Sequence, residues 1–347
     1  MDPLLVAGYE IDLSEAVEII CENEYERIGL QVQEGLKRQA KLIASVLEEE
    51  TDASVVLLAD PCFGACDPLS CDLEGLGIEF GIQIGHAPFP CGQEGGLTTL
   101  MVNAKSVLAL DKVTRMALEL LPEGRIGVVS TAQHCHRLGE VKEVLEGAGF
   151  EVVLGSGDGR IAFDGQVLGC NFSSAREIED DVDAFLFVGS GMFHVLGLSL
   201  ATRKPVVAAD PYTIQVLSDE VEEAKETFLR KRYGAIAVSK AAKSFGVLVC
   251  SKPGQARMDL ALDIVETLKN AGKQAILVAM QRVDAPFLEG FGGIDCWVST
   301  GCPRIAIDDF VQFKAPMITP VELEVVLGLR EWEDVVFDEI MVDECDE

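Results

Sequence analysis

Three apolar segments open three similar stretches of this chain: Arg27-Ile28-Gly29-Leu30-Gln31-Val32, Arg125-Ile126-Gly127-Val128-Val129 and Phe245-Gly246-Val247-Leu248-Val249. Their starts lie 98 and 120 residues apart, and a recurrence of that period constrains the architecture more than any single motif does. The first is followed by a helical pattern from Gly35 to Glu50, then by strand-like runs at Ala53 to Leu58, Phe80 to Ile84 and Thr99 to Val102. The second is followed by runs at Val152 to Leu154, Ala184 to Val188 and Pro205 to Ala208, and the third by runs at Ala275 to Val278, Cys296 to Val298 and Pro316 to Ile318. Short, continuous apolar strands alternating with amphipathic helices predict parallel sheets covered on both faces, because each crossover must carry the chain back over the sheet. The expected fold is α/β: three repeated small domains, each a four-stranded parallel sheet flanked by helices, around a central site. The expected divisions are 1–112, 113–230 and 231–347.

Each third carries a cysteine in a glycine-bearing turn: Gly64-Ala65-Cys66, Leu168-Gly169-Cys170 and Thr300-Gly301-Cys302. All three turns follow strand-like segments, the segment before Cys170 being Arg160 to Val167, which also reads as a local hairpin. Ligands in such sheets gather outside the carboxyl ends of the strands, so the three turns look like one metal centre. Thiolate is the soft ligand of iron–sulfur clusters, and three of them on a four-iron cluster leave one iron open for chemistry. A local motif competes. Cys62, Cys66 and Cys71 fall within ten positions, and spacing alone leaves a zinc or iron–sulfur loop there open.

The formal net charge of −30 opposes direct binding to nucleic acid or an anionic membrane and suits a basic protein partner or a merely acidic surface. The first residues have no basic region followed by an unbroken apolar run, and no stretch of about 20 uncharged apolar residues is present to span a bilayer. Eleven cysteines without export features fit a reducing cytoplasm and metal or catalytic use better than a disulfide framework. Cys21, Cys250 and Cys296 read as packed thiols. The acidic end, Glu331 to Glu347, reads as a solvated surface segment.

Five ordered motifs carry a resemblance: Ala59-Asp60 with Gly64-Ala65-Cys66; Ser130-Thr131-Ala132-Gln133-His134; Val167-Leu168-Gly169-Cys170-Asn171; Lys204 to Tyr212; and Cys302 to Asp309. With the closing Thr319 to Glu324, they resemble the archaeal diphthamide synthases, the 2-(3-amino-3-carboxypropyl)histidine synthases, from about residue 25 to 330. The resemblance implies a homodimer of three-domain subunits, each holding a 4Fe-4S cluster on Cys66, Cys170 and Cys302, with Cys62 and Cys71 as bystanders. It implies that S-adenosylmethionine binds the open iron, that an electron donor reduces the cluster, and that the bond from sulfur to the methionine γ-carbon breaks. A 3-amino-3-carboxypropyl radical then adds to C2 of a histidine imidazole in elongation factor 2. The chain departs from the family at Ile84-Gly85-His86-Ala87-Pro88, where Ala-Pro replaces a common Ser-Cys continuation, and Cys91 comes later.

Cofactor contacts are sought among polar groups at strand ends. Gln255 and Arg257 lie in a strand-to-helix turn where amides and a guanidinium can meet a carboxylate, or where the arginine is simply solvated. Arg304, two residues past Cys302, is preferred as a carboxylate ligand over an ion pair with Asp308 or Asp309. Gln133 and His134, and the turn Gly189-Ser190-Gly191, follow strands of the second third; His134 reads equally as a packed histidine, as do His86 and His194. Two rival functions stand beside this reading. One is a quinolinate-synthase-like dehydratase using the open iron as a Lewis acid; the other is a non-catalytic subunit of a heteromeric synthase.

Overall fold

The computed structural model describes residues 1–67, 69, 71–88, 97–308 and 312–341. The first third carries β1 (Leu4–Val6), β2 (Tyr9–Ile11), β3 (Arg27–Val32), β4 (Ser54–Leu57), β5 (Phe80–Ile84), β6 (Thr99–Val102) and β7 (Ala104–Ser106). The second carries β8 (Arg125–Ser130), β9 (Glu151–Val153), β10 (Ala184–Val188), β11 (Val206–Asp210) and β12 (Gln215–Leu217). The last carries β13 (Ser244–Cys250), β14 (Gln274–Met280), β15 (Cys296–Ser299) and β16 (Met317–Ile318).

The recurrent apolar segments are the opening strands β3, β8 and β13, and three sheets are built around them on one plan. Neighbours run β4-β3-β5-β6, β9-β8-β10-β11 and β14-β13-β15-β16, all in parallel pairs. In each sheet the second strand lies on one side of the opening strand and the third on the other. That change of direction makes a switch point between first and third strands, where a crevice opens at the carboxyl ends.

Alternation within buried strands explains the two covered faces. Ile126, Val128, Leu186 and Val188 pack with Val113, Val141 and Leu145 on one side, while Val129, Phe185 and Phe187 pack with Val195, Leu198 and Val221 on the other. Each fully buried Phe contributes about 1.5–3 kcal/mol. The glycine in two opening strands makes room for an aromatic ring on the neighbouring strand. A Cβ on Gly127 would sit 2.5 Å from the Phe185 ring and one on Gly246 2.1 Å from the Trp297 ring, and both rings belong to register partners.

Three features depart from the sequence expectation. The second sheet has a fifth strand, β12, antiparallel to β11. The chain also begins in a separate antiparallel sheet, β1-β2-β7, turned at Ala7 and Gly8 with φ of 51° and 83°, the positive pair that a tight hairpin needs. Three-residue strands carry too little periodicity to announce themselves. Finally, Arg160 to Val167 is not a strand; it forms turns, with Gln166 bridged to Ser130. A long helix, Asp219–Ser239, joins the second sheet to the third. No helix among the described residues is long and apolar enough to cross a membrane.

Candidate metal centre

The turn bearing Cys66 lies beyond the end of β4 and is held from below by the first sheet. Gln83, buried on β5, donates its amide to Cys62 Sγ (3.0 Å) and to the Gly64 carbonyl (3.2 Å). From above, Lys252 pairs with Asp67 at 2.5 Å, and the Gly254 amide donates to the Cys66 carbonyl at 3.3 Å. The loop after β13 is thus docked onto the first cysteine turn. Ala65, Cys66, Met101 and Leu168 pack together, which brings the turn of Cys170 alongside.

Cys170 sits in a tight turn closed by Leu168 N donating to the Asn171 carbonyl (2.9 Å). Arg160, 1 % exposed, points its Nη2 at Cys170 Sγ (4.0 Å) and donates to the Gly254 carbonyl (3.1 Å). Cys302 follows β15 directly and caps the short helix Pro303–Ile307. Arg304, two residues on, lies close enough to Cys302 for its positive charge to favour the thiolate. The three turns are therefore not equivalent in their sheets: one follows the second strand, one lies between second and third, and one follows the third.

Burial pushes all three thiols up, Cys170 to about 12, and next in weight for Cys170 and Cys302 comes the charge of the neighbouring cysteines. Partly buried thiolates on neighbouring turns repel one another, as Cys170 and Cys302 show, and Arg160, Arg257, Arg304 and Lys252 offset only part of the cost of ionising the three. Such a donor set is soft, desolvated and short of positive charge, which is the environment a thiolate-bound metal group relieves. Among the described residues no three His, Cys, Asp or Glu side chains are close enough to share a single ion.

The remaining site candidates divide. Gln255 Nε2 donates to Cys66 Sγ at 3.2 Å, which places its amide on a sulfur. Arg257 is buried, not solvated: it donates to the carbonyls of Thr300 (2.6 Å) and Gly301 (3.3 Å) and clasps Asp338 at 2.9 and 3.1 Å. The carboxylate it meets is the protein's own. Arg304 is 5 % exposed and forms the ion pair with Asp308 that competed with its ligand role, at 2.7 Å from Nε, though poorly aligned for a hydrogen bond there. Its guanidinium lies 3.8 Å over the Phe193 ring and donates to the Phe193 carbonyl at 3.1 Å, while Nη1 has no partner among the described residues.

Gly189, Ser190 and Gly191 lead from β10 into the helix Met192–Ala201, which carries Phe193 to Arg304. Gln133 and His134 make their contacts in the seam between the first two sheets. Gln133 donates to the Gly85 carbonyl (2.9 Å), and His134, 2 % exposed, meets the Tyr212 ring edge-on at 5.7 Å. Burial lowers His134 to about 4, so it is neutral at physiological pH. His86 and His194 are likewise lowered to about 4 by burial; His86 Nδ1 lies 3.7 Å from Cys62, and His194 stacks on Phe187 beside Phe193. Cys62 is a buried thiol pushed up to about 11 by desolvation.

Two expectations fail. Cys21 is exposed, because it lies one position round the helix Ser14–Glu22 from its inward residues Ala16 and Ile20. The acidic end is not all solvated: Phe337, Asp338, Glu339 and Ile340 are buried, their apolar members masked in the sequence by the surrounding carboxylates. Arg160 and Gln83 gave no local signal, since each acts on residues that only the fold brings near. Cys91, Asp309 and residues 342–347 lie outside the described residues.

Comparison with known proteins agrees with this geometry. A solved structure, "Crystal structure of Dph2 from Pyrococcus horikoshii with 4Fe-4S cluster", superposes with a TM-score of 0.86 at 39% identity, covering 96% of this chain and 94% of that one. The 2-(3-amino-3-carboxypropyl)histidine synthase of Pyrococcus horikoshii is 40% identical over 96% of this chain and 94% of its own length. Subunit 1 of the same synthase from Schizosaccharomyces pombe is 26% identical over 96% of this chain and 77% of its length. The family model for diphthamide synthesis proteins matches residues 32–336, and the chain belongs to that family.

Proposed function

We propose that this chain is a 2-(3-amino-3-carboxypropyl)histidine synthase: it transfers the 3-amino-3-carboxypropyl group of S-adenosylmethionine to C2 of a histidine imidazole in elongation factor 2, the first step of diphthamide biosynthesis. The observation that carries this reading is the convergence of three partly buried cysteine turns, one from each third of a chain 40% identical to a synthase of that name. Cys66, Cys170 and Cys302 hold a 4Fe-4S cluster with one iron open. When bound, that group supplies an electron and a coordination site for cleaving the carbon–sulfur bond.

The chain's own residues supply position and charge. Gln255 and Arg160 each face one ligand sulfur, and such contacts orient thiolates and tune what they bind. The unpartnered Nη1 of Arg304 is available to the cofactor carboxylate. Gly189 and Ser190, which lead into the helix that carries Phe193 to Arg304, are the cofactor contacts from the second sheet, with Gln133 and His134 packed behind them in the seam with the first. The protein works as a cytoplasmic homodimer of three-domain subunits divided at about residues 112 and 230, takes electrons from a separate donor and uses a radical mechanism. Its acidity discourages direct contact with nucleic acid.

Anaerobic reconstitution followed by reduction with S-adenosylmethionine, with and without elongation factor 2, tests the reaction. The expected products are 5′-methylthioadenosine and modified factor. Predominant 5′-deoxyadenosine would exclude transfer of this group, and turnover without reductant or S-adenosylmethionine would instead mark a dehydratase.

Arg304→Ala is expected to keep the cluster but weaken S-adenosylmethionine binding by about 1.5–3 kcal/mol, the range for a charge-assisted contact. Arg304→Lys should restore only part of it, because a point charge cannot reproduce the planar fork. Equilibrium binding to the reconstituted protein measures both. Unchanged affinity would confine Arg304 to its pairing with Asp308.

A further inference from the structure

We infer that the buried segment Phe337 to Ile340 is a strap that sets the positions of two of the three cysteine turns, with Asp338 and Glu339 as positioning residues for different turns. That these turns carry cluster ligands rests on the function proposed above; the strap itself rests on contacts alone. Asp338 takes both terminal nitrogens of Arg257, at 3.1 and 2.9 Å. The same guanidinium donates to the carbonyls of Thr300 and Gly301, the two residues before Cys302.

Glu339 turns the other way. It accepts from the Phe172 amide (2.5 Å) and pairs with Arg176 (2.6 Å), both just past Cys170. Ile340 then donates its amide to the Cys170 carbonyl (2.9 Å), and Asn171 Nδ2 donates to the Ile340 carbonyl (3.0 Å). The Phe337 ring meets Phe172 edge-on at 5.4 Å. Successive side chains of an extended segment point to opposite sides, so two adjacent carboxylates reach two different neighbours.

Burying two carboxylates in so acidic a chain is costly unless each is paired. Both are, and the partner of Asp338 also grips the backbone of a cysteine turn. Arg257 therefore has the same function in this arrangement as Asp338: it holds Thr300 and Gly301, and the strap holds it.

The test is hydrogen–deuterium exchange on the cluster-free full chain, comparing the parent with Asp338→Asn, Glu339→Gln and the charge-preserving Asp338→Glu. Asp338→Asn is expected to speed exchange in residues 299–302 by roughly tenfold or more while leaving 168–172 near the parent rate, since local opening follows the contacts removed. Glu339→Gln should do the reverse, and Asp338→Glu should recover most of the protection. After reconstitution at equal iron content, each asparagine or glutamine variant should change the spectrum of the reduced cluster, which a purely structural loss of stability would not do.

Unchanged exchange at both turns would overturn the inference. So would equal loosening of both turns by either variant, or a parallel rise in β3 and β5, which lie away from the strap and would signal general unfolding. Because exchange is read on the chain without its cluster, failure here is separable from failure of the proposed reaction.

Discussion

Cys170→Ala is expected to reduce bound iron from about four per chain to near zero, with loss of all S-adenosylmethionine cleavage, whereas Cys62→Ala keeps both. The two thiols are similar in chemistry and both lie in the region of the first and second sheets, so the contrast is informative. Cys170 and Cys302 are raised by burial and by the charge of neighbouring cysteines, and Cys66 by burial and then by Asp67. Cys62 instead faces Gln83 and His86, on the sheet side of its turn. Iron and sulfide assays on anaerobically reconstituted protein measure the difference, and circular dichroism of the cluster-free forms checks that the fold is retained. If Cys62→Ala abolishes iron binding while Cys170→Ala does not, the ligands belong to the local Cys62 to Cys71 loop and the three-turn centre is wrong.

A second large effect is expected at Arg232, on the helix that joins the second and third sheets. It is 1 % exposed and pairs with Glu322, with Nε to Oε1 at 2.7 Å and Nη2 to Oε2 at 2.5 Å. It also donates to the carbonyls of Ala306 and Met317. Glu322 in turn caps its own helix, Pro320–Leu327, through a reciprocal arrangement with Thr319. Arg232→Ala therefore strands a buried carboxylate and two carbonyls, and should cost about 3–5 kcal/mol of folding stability.

The double change Arg232→Met with Glu322→Leu should cost less than the single one, because no charge is left unpaired, although the cap at Thr319 is lost with it. Denaturant unfolding of the cluster-free protein measures both. A cost below about 1 kcal/mol for Arg232→Ala, the range of an exposed pair, would show that this network does not hold the third sheet to its neighbour.

The parallel sheets were legible because their evidence is local and repeated. β8 and β13 are nearly continuous apolar runs and β3 is broken only by Gln31, as expected of strands buried on both faces. The small edge elements were not legible: β1, β2, β7 and β12 are held by pairing with partners already in place, and three residues cannot encode that in their own pattern. Arg160 to Val167, which read as either a strand or a local hairpin, is used for turns ahead of Cys170.

For the centre, the residue types and their glycine turns could be picked out of the chain, but their surroundings could not. Gln255 read as a cofactor contact and is aimed at Cys66; Arg257 read as a solvated or ligand-binding group and is bound to Asp338. Both outcomes depend on partners tens to hundreds of residues away.

The sequence by itself determined the α/β repeat and the family, because backbone period and short motifs are written in neighbouring residues. Only the tertiary structure decided strand order, the buried arginines around the thiols and the inward course of the acidic end. Those follow from which distant groups are left to neutralise and hydrogen-bond one another once the three sheets have excluded water, and one-dimensional spacing carries no record of that.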